Sequence, residues 1–371
     1  MASKRERFTD YVKNGGERVI CSPQVGGGAG YVAKLHGRNF CSEVNHQEEM
    51  AVISRYKMLP LYNCGIDPIA HCKEIKWEMD EHEKTAEQIE ITWHCDTPYG
   101  SMRRRLIEKP RVGGCYVVHA IGNADELDMF EYVLDTALQE QDFSCYTELG
   151  QKYSEQFNGD GAVSIAWCMQ PYEMLGYPST MTTAMLPYDD ETRFYRLMDK
   201  ILALDYKIID ALAKSGADFL FLGGPGSEIA SPAYYDKYIV PYSKKVTDHA
   251  HSRGMMIYSH ICSPIEPMLS KGYYNRMGID LFETLSPFPE GNVTSIADAL
   301  SKLDPAICTR GNVSLSLLTK GTPEEIKREV YSIIDAAKGR KHIIAASDCL
   351  IYDVPEANVF ALCEAVEEYY R

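Results

Sequence analysis

GADFLFLGGPGSEIASPAYYDKYIVPYSKKVTDHAHSRGMMIYSHIC, residues 216–262, holds two short apolar runs, DFLFLG (218–223) and MMIYSH (255–260), separated by a stretch with helical spacing. Short apolar runs bounded by Gly, Pro or Ser read as strands, and strands alternating with helices point to a parallel sheet. Four more runs continue the pattern: AVSIAW (162–167), DLFETL (280–285), AICTRG (306–311) and HIIAAS (342–347). RVICSP (18–23) and DPIAHC (67–72) supply two strands in the less regular first half. Eight strands, most followed by a helix, predict an α/β chain: a single (β/α)8 TIM barrel over residues 1–371, with residues 1–17 as an N-terminal extension. The polar, alternating segment EQIEITWHCDTPYGSMRR (87–104) reads as a hairpin laid across that barrel. A doubly wound sheet is the competing architecture. It usually carries a glycine-rich turn after its first strand, and the cluster Gly26-Gly27-Gly28-Ala29-Gly30 lacks the GxGxxG spacing.

Helix boundaries are legible in the second half. Apolar residues recur at helical spacing from Asp190 to Ala213 and stop at Gly216. Thr322-Pro323-Glu324-Glu325 predicts a capping box, with Pro323 in the first turn and a helix running to about Gly339.

Composition narrows the partners. The chain has 38 basic and 53 acidic residues, a net charge of −15. Such a balance argues against nucleic acid or an anionic membrane surface. No apolar run reaches the roughly 20 residues that span a bilayer. The start, MASKRERFTDYVKNG, is charged and lacks the apolar centre of a secretory signal. Twelve cysteines without an export signal predict a cytoplasmic chain whose thiols stay reduced or bind metal. Cys21, Cys168 and Cys363 sit in apolar runs and are expected in the core. Asn292 and Asn312 match the glycosylation pattern, which a cytoplasmic chain does not use.

Chemistry gathers at the end of MMIYSH. Residues two apart on a strand face the same side, so His260 and Cys262 aim at one point beyond the fifth strand, at the barrel end where active sites form. Cys349 follows the eighth strand at the equivalent rim. One imidazole and two thiolates suit Zn²⁺, with a fourth position left for water, a carboxylate or substrate. Sulfur ligands disfavour Mg²⁺ and Ca²⁺. The pair taken alone also describes a buried imidazole beside a buried thiol.

The quoted stretch resembles the uroporphyrinogen decarboxylase superfamily, and so do TRGNVSLSLLTKGTPEEIKREV (309–330) and SDCLIYDVPEANVFALCEAV (347–366). The likeness spans at least residues 207–371 and implies the same barrel. Within that superfamily, H-x-C followed by a late cysteine marks zinc-dependent, corrinoid-linked methyltransferases. The decarboxylases instead place an arginine-rich segment after the first strand, where this chain reads SPQVGGGAGYVAKLHGR (22–38). The resemblance therefore implies zinc on His260, Cys262 and Cys349. Glu228, after the fourth strand, is expected as a fourth ligand or a substrate contact. Asn312, in the family's Gly-Asn motif, is expected to orient substrate in catalysis or to tie its loop, and Asp348 to serve as an outer-shell group or general acid. His94, in the hairpin, reads as a surface residue.

Two chemistries follow from that resemblance. Zinc can activate a thiol that attacks a methyl group on Co(III), as in methylcobamide:coenzyme M methyltransferases. Alternatively it polarises the heteroatom of a methyl donor while Co(I) takes the methyl group, as in bacterial O-demethylases. GIDLFETLSPFPEGNVTSIADAL (278–300) resembles the second branch, which makes a small methylated substrate, an aromatic methyl ether, the expectation. No Asp-x-His-x-x-Gly loop is present to hold cobalamin, so a separate corrinoid protein is the expected partner, and a homodimer is possible. A metal-free decarboxylase relative and a non-catalytic binding barrel are the competing classes.

Overall fold

β-Branched and aromatic residues concentrated in short runs make the parallel strands, and the alternation of side chains about each strand divides them between barrel interior and helical shell. The computed structural model describes residues 2–26, 30–69, 71–166, 171 and 173–371. In chain order the strands are β1 (Ile20–Cys21), β2 (Leu61–Gly65), β3 (Glu78–Lys84), β4 (Ile89–Thr97), β5 (Gly100–Lys109), β6 (Gly113–Val118), β7 (Ala162–Ala166), β8 (Phe219–Gly223), β9 (Met256–His260), β10 (Leu281–Glu283), β11 (Cys308–Val313) and β12 (His342–Ala346).

Eight of these form one parallel sheet in the order β1-β12-β11-β10-β9-β8-β7-β2. Its outer strands approach where the Leu59 N–H donates to the Cys21 carbonyl over 3.0 Å. The result is a TIM-barrel-like fold. β3 to β6 make a separate four-stranded antiparallel sheet, and the expected hairpin is its central pair, with Trp93 opposite Arg104.

One expected strand is absent. None of the described residues of DPIAHC (67–72) lies in a strand; the second barrel strand is the preceding LYNCG. Asp67 Oδ1 accepts the Ile69 N–H at 2.9 Å, closing an Asx turn around Pro68 that ends the strand instead of starting one. The strand at 306–311 is displaced to Cys308–Val313. Trp167, Cys168, Gly27 and Gly28 lie outside the described residues. The helix Glu191–Leu212 is capped by Asp190, whose Oδ1 accepts the Arg193 N–H at 2.9 Å. The helix Pro323–Ala336 carries the predicted box, with Thr322 N–H to Glu325 Oε2 at 2.8 Å, and ends at Ala336, short of Gly339. Among the described residues no helix is long and apolar enough to cross a membrane.

The interior is layered. Leu61, Ala162, Phe219, Tyr258, Leu281, Cys308 and Ile343 fill one end of the barrel, and Phe8, Tyr11 and Val12 of the helix Lys4–Asn14 join them. Two residues further along β9, β10 and β11 the inward positions become His260, Glu283 and Arg310. Gly311 permits this approach of β11 to β10: a Cβ there would lie 2.2 Å from the Thr284 carbonyl oxygen.

His342 is fully buried, with Nδ1 2.9 Å from Thr309 Oγ1 and Nε2 3.0 Å from the Gly311 carbonyl oxygen. Burial depresses its pKa from 6.5 to about 4. Between these values the unfolded chain binds the proton that the fold refuses, so stability rises with pH. The contribution, on the order of 3 kcal/mol, is fully present above about pH 6.5 and is lost as pH falls to about 4. Urea unfolding between pH 4 and 7 should show a steeper acid loss for the wild type than for His342→Gln. Parallel curves would remove His342 from the account.

Candidate metal centre

The strand register assembles this site from side chains far apart in sequence. Glu283 pairs with His260 of β9 on one side and with Arg310 of β11 on the other. All three point inward, at the end of the barrel opposite the N-terminal helix. His260 Nδ1 is 2.6 Å from Glu283 Oε1, and the Tyr258 hydroxyl donates to the same oxygen. Arg310 Nη1 lies 2.7 Å from Glu283 Oε2, a charge contact without hydrogen-bond alignment, while Arg310 Nε donates to the Ser22 carbonyl at 2.7 Å. Arg310 is 0% and Glu283 3% exposed. Ionised groups are buried this deeply only when paired.

Beyond this layer the chain leaves β9, and Cys262 emerges exposed on the following loop. From the other side Asp348 arrives after β12. The ligand atoms of His260, Cys262 and Asp348 all lie within 4.8 Å of one another, and His260 Nε2 is 3.4 Å from Asp348 Oδ1. Burial disfavours the imidazolium. Contacts with Asp348, Cys262 and Glu283 outweigh that effect and hold the His260 pKa well above the ordinary histidine range. Burial likewise raises the Glu283 and Asp348 carboxyls, but Arg310 and His260 for the first, and His260 for the second, leave both below their usual values. The two carboxylates are thus balanced by the imidazolium and the Arg310 guanidinium.

Of the expected residues, the structure brings His260 and Cys262 together and puts Asp348 third. Cys349 lies outside that cluster, half-buried, its thiol pKa pushed up by burial. A bend at 347–349 breaks the two-residue period after Ala346, and Asp348 Oδ1 accepts the Cys349 N–H at 2.6 Å. Glu228 is exposed and also outside the cluster. Its carboxylate folds over Gly226, where a Cβ would lie 2.2 Å from Oε2 and 2.5 Å from the Ser263 Cβ. Asn312 is buried, with Nδ2 donating to the Leu285 carbonyl at 2.9 Å, so its amide ties the ends of β10 and β11 together. His94 lies on β4, its Nδ1 beside Asp80. Glu283, Arg310 and Tyr258 belong to no motif in the linear sequence. The signal was present: DLFETL and AICTRG each carry a charged residue at an inward position of a buried strand.

The donor set fits zinc. An imidazole nitrogen, a thiol sulfur and a carboxylate oxygen are its customary ligands, and sulfur excludes the harder divalent cations. Glu283 on the far imidazole nitrogen is the usual outer partner of a metal-bound histidine.

A family model described as Uroporphyrinogen decarboxylase (URO-D) matches residues 161–369, a span containing every residue of this cluster. The uroporphyrinogen decarboxylase of Prochlorococcus marinus (strain NATL2A) is 25% identical over 212 residues, 55% of this chain and 56% of that protein. The methylcobamide:CoM methyltransferase MtbA of Methanosarcina mazei is 21% identical over 256 residues, 68% of this chain and 71% of that protein. The chain thus spans little more than half the length of the decarboxylases it matches. Among solved structures, a methyltransferase from Methanosarcina mazei has a TM-score of 0.67 at 13% identity, with both chains fully covered, a likeness in fold.

Proposed function

Because the chain belongs to the uroporphyrinogen decarboxylase (URO-D) family, we propose that it is a zinc-dependent methyltransferase working as one barrel domain. It passes a methyl group from a small methylated substrate, an aromatic methyl ether, to a corrinoid held by a partner protein. The convergence of His260, Cys262 and Asp348 within 4.8 Å carries this reading. The resemblance to MtbA, a methylcobamide:CoM methyltransferase, supports corrinoid-linked methyl transfer, while the ether rests on the sequence resemblance alone.

When bound by these residues, zinc would supply Lewis acidity toward the heteroatom that bears the methyl group. The remaining work belongs to the chain. Glu283 accepts a hydrogen bond from His260 Nδ1 and so aims Nε2 at Cys262 and Asp348, where binding of a metal would displace the Nε2 proton. Tyr258 and Arg310 hold Glu283 ionised in that orientation. Asp348 stays ionised beside the imidazole and Cys262 faces the open end, where a partner protein must dock. Cys349 and Glu228 lie outside the cluster and are assigned to substrate contact, and Asn312 ties the ends of β10 and β11 through the Leu285 carbonyl.

One observation favours a second reading: relatives named uroporphyrinogen decarboxylase match the same span. The two are separated by mixing the protein with a reduced corrinoid protein and a panel of methoxyarenes, thiols and methylamines while following the cobalt spectrum. Methyl-Co(III) formed only with methoxyarenes supports the ether reading. Demethylation of methyl-Co(III) by a thiol moves the protein to the thiol-methylating class. Carbon dioxide release from a carboxylated substrate without any corrinoid protein would establish the decarboxylase instead.

A further inference from the structure

Away from the metal centre, Arg104 of β5 stands among three aromatic rings. Its guanidinium carbon is 4.3 Å from the centroid of Trp77, 5.1 Å from Trp93 and 5.6 Å from Tyr116. Such contacts cover the faces of the planar group and leave its in-plane N–H donors for something else. Among the described residues no carboxylate pairs with Arg104, and its Nε is buried without an acceptor. His119 Nδ1, in the same wall, is also buried and unpaired.

The residues that bear these groups line open space. A cavity of about 230 Å³, lined by Trp77, Arg104, Tyr116, His119 and Tyr177, adjoins a second of about 400 Å³ that adds Lys73 and Lys76. Asp67 is the acid in this wall, and its Oδ1 already accepts the Ile69 N–H. Trp77 is fixed by donating from Nε1 to the Tyr177 hydroxyl at 3.2 Å. On a chain of net charge −15 this is a local positive cleft. It lies between the antiparallel sheet and the loops that follow β2 and β7, at the barrel end that carries His260.

A ladder of rings and arginine on a sheet face would account for the stacking alone. It would not leave a buried guanidinium N–H without an acceptor beside open volume and two lysines. A planar fork of donors matches a carboxylate bidentately. Aromatic walls match a ring, and a cavity of roughly 150 Å³ already holds benzene. We propose that this cleft binds a small aromatic carboxylate, with Arg104 on the carboxylate and Trp77, Tyr116 and Tyr177 around the ring. The site goes beyond the methyl-transfer reading: none of the metal-centre donors lines it, so its occupancy is measured without metal.

The test is calorimetric titration of the full chain with benzoate, benzyl alcohol and benzylammonium in buffer containing a chelator, with tryptophan fluorescence as a second readout. Benzoate should bind at least tenfold more tightly than either analogue. Arg104→Gln should weaken benzoate at least tenfold. Lys76→Glu, at an exposed position, should weaken it several-fold with an unchanged circular dichroism spectrum, which covers the case in which Arg104→Gln fails to fold. Equal affinity for the three probes, no saturation at millimolar benzoate, or indifference to both substitutions overturns the site. Benzoate binding by a protein that takes up no zinc would discard the metal reading and leave this one standing.

Discussion

Cys262→Ser is expected to lose zinc while the barrel stays folded. The wild-type protein should carry about one zinc per chain by elemental analysis, and the variant close to none. Cys262 supplies the one sulfur in the three-donor cluster and sits exposed on the loop after β9, outside the packed layers of the barrel. Removing an outer partner of a zinc ligand typically lowers affinity about 10–100-fold, and removing a ligand lowers it further. A competition titration against a chromophoric chelator should therefore show a loss of more than about 100-fold for Cys262→Ser. Asp348→Asn should weaken zinc more than Cys349→Ser does, because Asp348 is inside the cluster and Cys349 is not. If Cys349→Ser proved the more damaging, zinc would be held by the ligands inferred from the linear motif, with a rearrangement of residues 347–349. A wild-type protein free of zinc after expression in zinc-supplemented medium would end the metal reading.

The largest effect on stability should come from Arg310→Met. Arg310 is fully buried, its Nη1 lies 2.7 Å from Glu283 Oε2 and its Nε donates to the Ser22 carbonyl. Removing one partner leaves the other charge buried without compensation, a change that destabilises by about 3–5 kcal/mol. Methionine keeps much of the arginine volume, so the loss measured by urea unfolding reports the charge more than a cavity. The double variant Arg310→Met with Glu283→Gln should recover part of the loss, since no unpaired carboxylate then remains. A cost below about 1 kcal/mol for the single variant would mean that Glu283 is neutral in the fold, contrary to the lowered pKa that Arg310 and His260 impose on it. The same variant should also weaken zinc, through the looser hold of Glu283 on His260.

Those two residues mark the boundary of what can be read from the chain in one dimension. Strand runs, capping boxes and helix stops are local, and the sequence carries them directly: Thr322 and Glu325 close their box as expected, and MMIYSH ends in His260 at the rim of the sheet. The one expected strand that is absent, at 67–72, failed on an equally local signal, since Asp67-Pro68 is a turn. His260 and Cys262 were legible because their spacing is a property of one strand and its exit.

The rest depended on neighbours in space. Glu283 and Arg310 are a charged residue apiece in two apolar runs, and only the parallel register of β9, β10 and β11 sets them side by side with His260. That Asp348 rather than Cys349 lies within 4.8 Å of His260 and Cys262 follows from a bend after β12, because a two-residue period continues only while the backbone stays extended. The Arg104 cleft needed a sheet to stack its rings and two barrel loops to close over it. The sequence by itself determined most of the strands, the helices between them and the convergence of His260 with Cys262, since each is encoded within a few residues. The tertiary structure alone set Asp348 beside His260 and Cys262, the buried charges that orient the imidazole and the second cleft, because each depends on the distance between segments that the order of residues does not contain.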